Sequence, residues 1–138
     1  MKYLLDTAVW ANSVLTPEVL PARVLSLLKS PGERGIASVS LLETAILHRL
    51  GRLEMSRPLR DFYRVGIARN LRVLDLTPDI ADATNALGDV FHGDPFDRAI
   101  VATARVHNLT LITADRAIRD AGACPVEFYP FRPGRIKT

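Results

Sequence analysis

The chain has 138 residues, 48% of them hydrophobic, which is enough for one domain with a buried core. No apolar run approaches the ~20 residues of a membrane span, Asp6 interrupts the apolar start too early for a signal peptide, and the lone Cys124 excludes an internal disulfide, so we expect a cytoplasmic protein without membrane association. The formal net charge is +3 and 15 of the 18 basic residues are arginine, which favours a nucleic-acid partner but is equally what a GC-rich genome produces.

Short apolar runs alternate with amphipathic segments along the whole chain. This alternation predicts an α/β protein, a three-layer α/β/α sandwich with a mostly parallel central sheet. We expect residues 1–130 to form a single domain and residues 131–138, which contain three basic residues and no acid, to form a basic tail. The predicted strands are 3–5, 36–39, 73–76, 109–112 and 126–129; the predicted helices are 8–15, 17–29, 40–50, 59–67, 77–88, 94–108 and 116–121.

Acidic residues stand at the ends of predicted strands or in the first turns of the helices that follow. Asp6 comes directly after the first strand and Asp115 directly after the fourth. Glu43 lies near the start of the helix after the second strand, and Asp97 lies in the first turn of helix 94–108. Because the carboxyl edge of an open α/β sheet is where sites form, these four carboxylates are candidates for one site.

Two of these acids and a neighbour also have a structural interpretation. Asp6 can cap the turn through Thr7, and the Ser40-Leu-Leu-Glu43 pattern is that of a capping box, in which the two side chains satisfy backbone N–H groups. Asp94 precedes Pro95, so we expect it to be the N-cap of its helix, with the N–H group of residue 96 or 97 as the donor. These alternatives stay open at the level of sequence.

Four converging carboxylates cannot all be ionised without a cation, because like charges at ~4 Å raise one another's pKa. Oxygen ligands without a cysteine or histidine cluster favour Mg²⁺ or Mn²⁺ over zinc. A divalent cation among carboxylates can activate water and stabilise charge on a phosphoryl oxygen. A basic protein with an acidic, metal-binding centre is therefore expected to be an enzyme that acts on a phosphodiester.

Four stretches carry a recognisable pattern: Leu4-Leu5-Asp6-Thr7, Ser40-Leu-Leu-Glu43, Asp94-Pro-Phe-Asp97-Arg98-Ala-Ile-Val-Ala-Thr-Ala and Leu-Ile-Thr113-Ala-Asp115. Over nearly the whole chain this pattern resembles the PIN-domain ribonucleases, and among them the VapC-type toxins of type II toxin–antitoxin pairs. The resemblance implies Mg²⁺-dependent cleavage of RNA, with Mn²⁺ as an alternative, a homodimer, and an antitoxin that binds a groove and silences the enzyme. It also implies roles for individual residues: Asp6, Glu43, Asp97 and Asp115 as catalytic and metal-binding acids, and Thr7, Asp94 and Thr113 in support.

Several basic residues have two interpretations each. Arg98 and Arg116 directly follow candidate acids and either contact RNA phosphate or hold a carboxylate. Residues 49–72 contain seven arginines and two acids, and Arg57, Arg60 and Arg64 share a helix face that is either solvated or binds phosphate or a partner.

We expect the three histidines, His48, His92 and His107, to be structural or loop residues.

Other classes of protein fit the pattern less well. A receiver-type phosphoacceptor domain needs a pair of acids after the first strand and a lysine after a late strand, and Asp6 stands alone. A non-catalytic PIN-like module that binds RNA or protein, and a DNA-directed nuclease of related fold, are the remaining alternatives to a ribonuclease.

Overall fold

The computed structural model describes residues 1–68, 70–89, 91 and 93–130. Within them, five parallel strands form one sheet in the order β3-β2-β1-β4-β5, with helices on both faces. The strands are β1 Tyr3–Leu5, β2 Arg34–Ala37, β3 Leu71–Leu74, β4 Thr110–Thr113 and β5 Val126–Phe128. The helices are α1 Thr7–Leu15, α2 Ala22–Lys29, α3 Val39–Arg49, α4 Leu59–Gly66, α5 Pro78–Ala86, α6 Pro95–Val106 and α7 Arg116–Ala121, with a 3₁₀ turn at Pro17–Val19.

This architecture confirms the predicted α/β/α sandwich with a parallel sheet. In the described part of the chain, no helix is both long enough and apolar enough to cross a bilayer. The predicted basic tail, residues 131–138, and His92 lie outside the described residues. The division into a domain and a tail therefore stays a prediction.

The register of the sheet sets the position of the strand ends. Leu5, at the carboxyl end of the central strand β1, pairs with Ile36 of β2 on one side and with Ile112 of β4 on the other. The N–H group of Asp6 then donates to the carbonyl of Ile112 at 3.0 Å. The residues that follow β1, β2 and β4 consequently emerge at one edge of the sheet.

The sheet is buried on both faces because its strands alternate between two hydrophobic clusters. Leu4 and Leu111 pack with α6, α7 and Leu87 just after α5, whereas Leu5 and Ile112 pack with α1, α2 and α4. The second cluster contains Trp10, whose indole N–H donates to the carbonyl of Gly66 at 3.0 Å. Burial on both faces explains why the strands read as continuous apolar runs rather than alternating ones.

Several predicted boundaries were wrong by about two residues. The second strand is Arg34–Ala37 rather than 36–39, the third is Leu71–Leu74 rather than 73–76, and the predicted helix 17–29 is a 3₁₀ turn followed by α2. The bounds of β3 were mispredicted because Leu76 is apolar and was taken as part of the strand. Leu76 is in fact 53% exposed, and its N–H group donates to the Ser38 hydroxyl. Pairing with β2, which is non-local, decides where β3 ends.

Candidate active site

Asp6 lies at the end of β1, where it is also the N-cap of α1. Its side chain is only 2% exposed, and both carboxylate oxygens accept a hydrogen bond, one from the Thr7 N–H group at 2.9 Å and one from the Thr113 hydroxyl at 2.7 Å. Burial raises the pKa of Asp6 from its ordinary 3.8 to about 6, although both hydrogen bonds act in the opposite direction. The carboxylate is therefore held in one orientation at a site that disfavours its charge.

Thr113, the last residue of β4, connects two of the predicted acids. Its hydroxyl donates to Asp6 and accepts from the N–H group of Asp115 at 3.0 Å. Asp115 is the N-cap of α7, and its side chain accepts from the Ile118 N–H group at 3.1 Å. The side chain of Asp6 and the backbone of Asp115 are thus linked through a single hydroxyl.

Glu43 lies in α3 with its side chain buried, at 4% exposure. The capping-box interpretation was wrong, because α3 begins at Val39 after the N-cap Ser38, which places Ser40 inside the helix. The Ser40 hydroxyl is instead 2.8 Å from the Thr7 hydroxyl, so it connects α3 to the start of α1. Burial, followed by the charge of Asp6, raises the pKa of Glu43 from 4.5 to about 7, while Thr7 lowers it in part.

Asp97 lies in the first turn of α6, one turn after the N-cap Asp94. As predicted, the Asp94 side chain accepts from a backbone N–H group, that of Asp97, at 2.8 Å. Burial raises the pKa of Asp97 from 3.8 to about 8, and the charges of Asp6, Asp94, Asp115 and Glu43 raise it further in that order. The other three predicted acids are therefore all close enough to raise the pKa of Asp97.

Two buried carboxylate oxygens, Oε1 of Glu43 and Oδ1 of Asp97, have no hydrogen-bond partner among the described residues. Each of Glu43, Asp94 and Asp97 offers one oxygen atom, and these three atoms lie within 4.8 Å of one another. Unpaired buried oxygens that repel each other fit a divalent cation, which supplies the missing charge and ligand bonds. The acidic cluster can thus bind a divalent metal, and it includes Asp94, which sequence reasoning treated mainly as a cap.

The two arginines that follow the acids differ in their surroundings. Arg98 is half-buried and donates to three backbone carbonyls, those of Thr84, Gly88 and Phe91. Arg116 is exposed beside Asp115, at the start of α7. These contacts favour a structural role for Arg98 and leave Arg116 accessible to a ligand.

Ser40 is the residue at the site that the sequence did not reveal as such. It is fully buried, and its partner Thr7 is 33 residues away in the chain. The predicted cap had assigned it a different role, and no local pattern signals a contact between two hydroxyl groups on separate helices.

The fold and the site together define the class of protein: a parallel α/β protein with a cluster of carboxylates, able to bind a metal, at the carboxyl edge of its sheet. The chain belongs to the PIN domain family, whose profile matches residues 3–123. It is 32% identical over 118 residues to Ribonuclease VapC22 from Mycobacterium tuberculosis, covering 84% of this chain and 88% of that protein.

Solved structures share this fold at lower sequence identity. VapBC2 from Rickettsia felis, bound to a DNA fragment from its promoter, is 17% identical with a TM-score of 0.70, covering 93% of this chain and 98% of that chain. A toxin–antitoxin complex from Klebsiella pneumoniae is 20% identical with a TM-score of 0.65, covering 94% of this chain and all of that chain. Together with the sequence match, these structures confirm the PIN-like fold predicted from the sequence.

Proposed function

We propose that this chain is a Mg²⁺-dependent endoribonuclease and the toxin of a type II toxin–antitoxin pair. The observation that carries the proposal is the convergence of Asp6, Glu43, Asp97 and Asp115 with two buried carboxylate oxygens that lack partners. Membership of the PIN domain family and the 32% identity to a ribonuclease support it. A non-catalytic module would have no need to retain carboxylates whose burial is unfavourable to its own folding.

In this proposal Glu43, Asp94 and Asp97 bind the cation, because their oxygens already lie within 4.8 Å of one another. A bound divalent cation supplies positive charge to a phosphodiester and makes water a better nucleophile. Asp6 and Asp115 complete the negative charge of the site, and Thr113 fixes the orientation of Asp6. The raised pKa values of Glu43 and Asp97 mean that cation binding displaces protons near neutral pH, so binding tightens as pH rises.

The substrate in this proposal is RNA, and Arg116 is the residue we expect to contact it. An acidic centre repels phosphate, so basic side chains around it are needed to attract the substrate. Arg116 is exposed next to Asp115, and the chain as a whole carries a net charge of +3. Arginine suits this role because its planar guanidinium binds phosphate oxygens in pairs.

The regulatory partner we propose is an antitoxin that places an arginine or lysine among the carboxylates. Such a cation would neutralise the acidic cluster and compete with both metal and substrate. The similarity to a toxin–antitoxin complex supports this partner, and the family resemblance also suggests a homodimer.

The enzymatic part is tested with the purified full chain on structured RNA and on DNA of matching sequence, with Mg²⁺, with Mn²⁺ and with excess EDTA. We expect cleavage of RNA that requires metal and that is absent in the Asp6→Asn variant purified in the same way. Equal cleavage in EDTA by both proteins would mean contamination, and metal-dependent cleavage of DNA alone would replace the proposed substrate.

The partner is tested by co-expression with a candidate antitoxin, a small protein encoded directly upstream of this gene. We expect that protein to relieve growth arrest and to co-purify with this chain. Toxicity that persists while the two proteins form a stable complex would rule out occlusion of the acidic cluster.

A further inference from the structure

The guanidinium group of Arg98 lies at the junction between the end of α5 and the start of α6. One terminal nitrogen donates to the carbonyls of Gly88 at 3.0 Å and Phe91 at 2.5 Å, and the other donates to the carbonyl of Thr84 at 2.7 Å. Three acceptors on the backbone leave the planar group with a fixed position. A lysine ammonium carries its three donors on one nitrogen and so cannot replace two separate guanidinium nitrogens at these acceptors.

These acceptors belong to the end of α5 and the turn that follows it. Helix α5 ends at Ala86, and the last carbonyls of a helix have no partner within the helix. A cation at this end also interacts favourably with the helix dipole. Arg98 of α6 thus binds a carbonyl in the last turn of α5 and two carbonyls just after it, while Asp94 is the N-cap of α6 itself.

Phe91 and Gly93, two of the described residues between α5 and α6, lie close to Asp97 or to each other. Phe91 is 2% exposed and belongs to the hydrophobic cluster that packs α6 and Leu87 against the sheet. A Cβ atom at Gly93 would lie 2.3 Å from the Phe91 ring and 2.9 Å from Cβ of Asp97, closer than real atoms approach. The position of Asp97 is therefore coupled sterically to the turn that Arg98 holds.

We propose that Arg98 is a positioning residue, which fixes the start of α6 against α5 and so holds the carboxylates of Asp94 and Asp97 close to Glu43. This inference rests on the proposed function only because it takes Glu43, Asp94 and Asp97 as the metal site. The side chain acts through the backbone of the α5–α6 turn and does not contact the phosphate of the substrate. Its place directly after Asp97 puts the site acid and its positioning residue on the same turn of helix.

The test is Mn²⁺ binding to the full-length protein without RNA, measured by electron paramagnetic resonance for wild type, Arg98→Lys and Arg98→Met. Positioning predicts Mn²⁺ binding at least about tenfold weaker in both variants, the scale on which second-layer contacts affect metal sites. Simple electrostatics predicts the opposite sign for Arg98→Met, because removing a positive charge near an acidic cluster favours a cation. Arg116→Gln is the matched control, since it removes a positive charge beside another site acid and is expected not to weaken Mn²⁺ binding.

A phosphate contact would give a different pattern. Loss of one such contact leaves Mn²⁺ binding unchanged and lowers the slope of log affinity for RNA against log salt concentration by about 0.7–0.9. Unchanged or tighter Mn²⁺ binding in both Arg98 variants would overturn the proposal.

Melting temperature is measured first for every variant. If Arg98→Met does not fold, Arg98→Lys decides, together with amide hydrogen exchange at the Asp97 N–H group, which we expect to become faster. Because none of these measurements uses RNA cleavage, a wild-type chain that binds Mn²⁺ but does not cleave RNA would refute the proposed function alone.

Discussion

Replacement of Asp97 by asparagine is expected to stabilise the metal-free protein while it abolishes metal binding and cleavage. The folded-state pKa of Asp97 is about 8, above its ordinary 3.8, because of burial and four neighbouring acids. At pH values between 3.8 and about 8, the Asp97 carboxyl keeps its proton in the folded protein but loses it in the unfolded chain. The stability that Asp97 contributes is therefore present at low pH and is lost as pH rises from about 4 to about 8.

The size of the stabilisation expected for Asp97→Asn follows from the rise in the pKa of Asp97. At about 1.4 kcal/mol per pKa unit, a rise of roughly four units sets an upper limit near 6 kcal/mol for full ionisation. Asp97 is partly exposed, so water screens its charge, and asparagine still carries a buried polar group; we therefore expect a gain of about 2 kcal/mol at pH 8. For a chain of this size that gain raises the melting temperature by about 6 °C.

The assay is thermal unfolding of wild type, Asp97→Asn and Asp94→Asn in EDTA at pH 5 and pH 8. Asparagine caps a helix as well as aspartate does, so Asp94→Asn keeps its bond to the Asp97 N–H group and should gain less than half as much. Saturating Mn²⁺ should raise the melting temperature of wild type and leave that of Asp97→Asn unchanged. The reasoning fails if Asp97→Asn melts at or below wild type at pH 8, or if its advantage is larger at pH 5 than at pH 8.

Three further predictions concern residues around the site. Gly93→Ala forces a contact with Phe91, so we expect a loss of about 1–3 kcal/mol in urea unfolding together with weaker Mn²⁺ binding; wild-type stability would contradict the packing argument. Thr113→Val removes a donor to Asp6, so the pKa of that carboxyl, followed by NMR of its carboxyl carbon in the metal-free protein, should rise further, and an unchanged pKa would count against it. Burial raises the pKa of the Cys124 thiol to about 11, so iodoacetamide should label it only on unfolding, and labelling of the native protein at pH 8 would refute this.

The parts of the site that could be predicted from sequence have local signals. Asp6 and Asp115 follow apolar runs short enough to be strands, and Asp94-Pro95 is a helix start that the structure confirms in detail. In each case the residues that determine the position of the acid lie within a few positions of it. Local patterns therefore predicted where these carboxylates enter the fold.

The parts that could not be predicted depend on partners that are distant in sequence. The Ser40 hydroxyl contacts Thr7, and a local capping box competed with that contact as an explanation of the same four residues. Arg98 reaches carbonyls up to 14 residues earlier, and its neighbour Asp97 suggested a role at the site instead. The end of β3 is set by pairing with β2, which the exposed Leu76 obscured.

The hydrogen bond between Thr113 and Asp6 joins residues 107 positions apart, and β1, the first strand of the chain, pairs with β4, which ends at residue 113. A nascent chain that has not yet released β4 from the ribosome has an incomplete sheet, and its Asp6 has neither Thr113 nor Asp115 beside it. Assembly of Asp6, Thr113 and Asp115 must therefore wait until most of the chain has been synthesised, since such distant pairings form late in folding. Translation thus delays the completion of the acidic site, and products of the same message that end before residue 113 lack both Thr113 and Asp115.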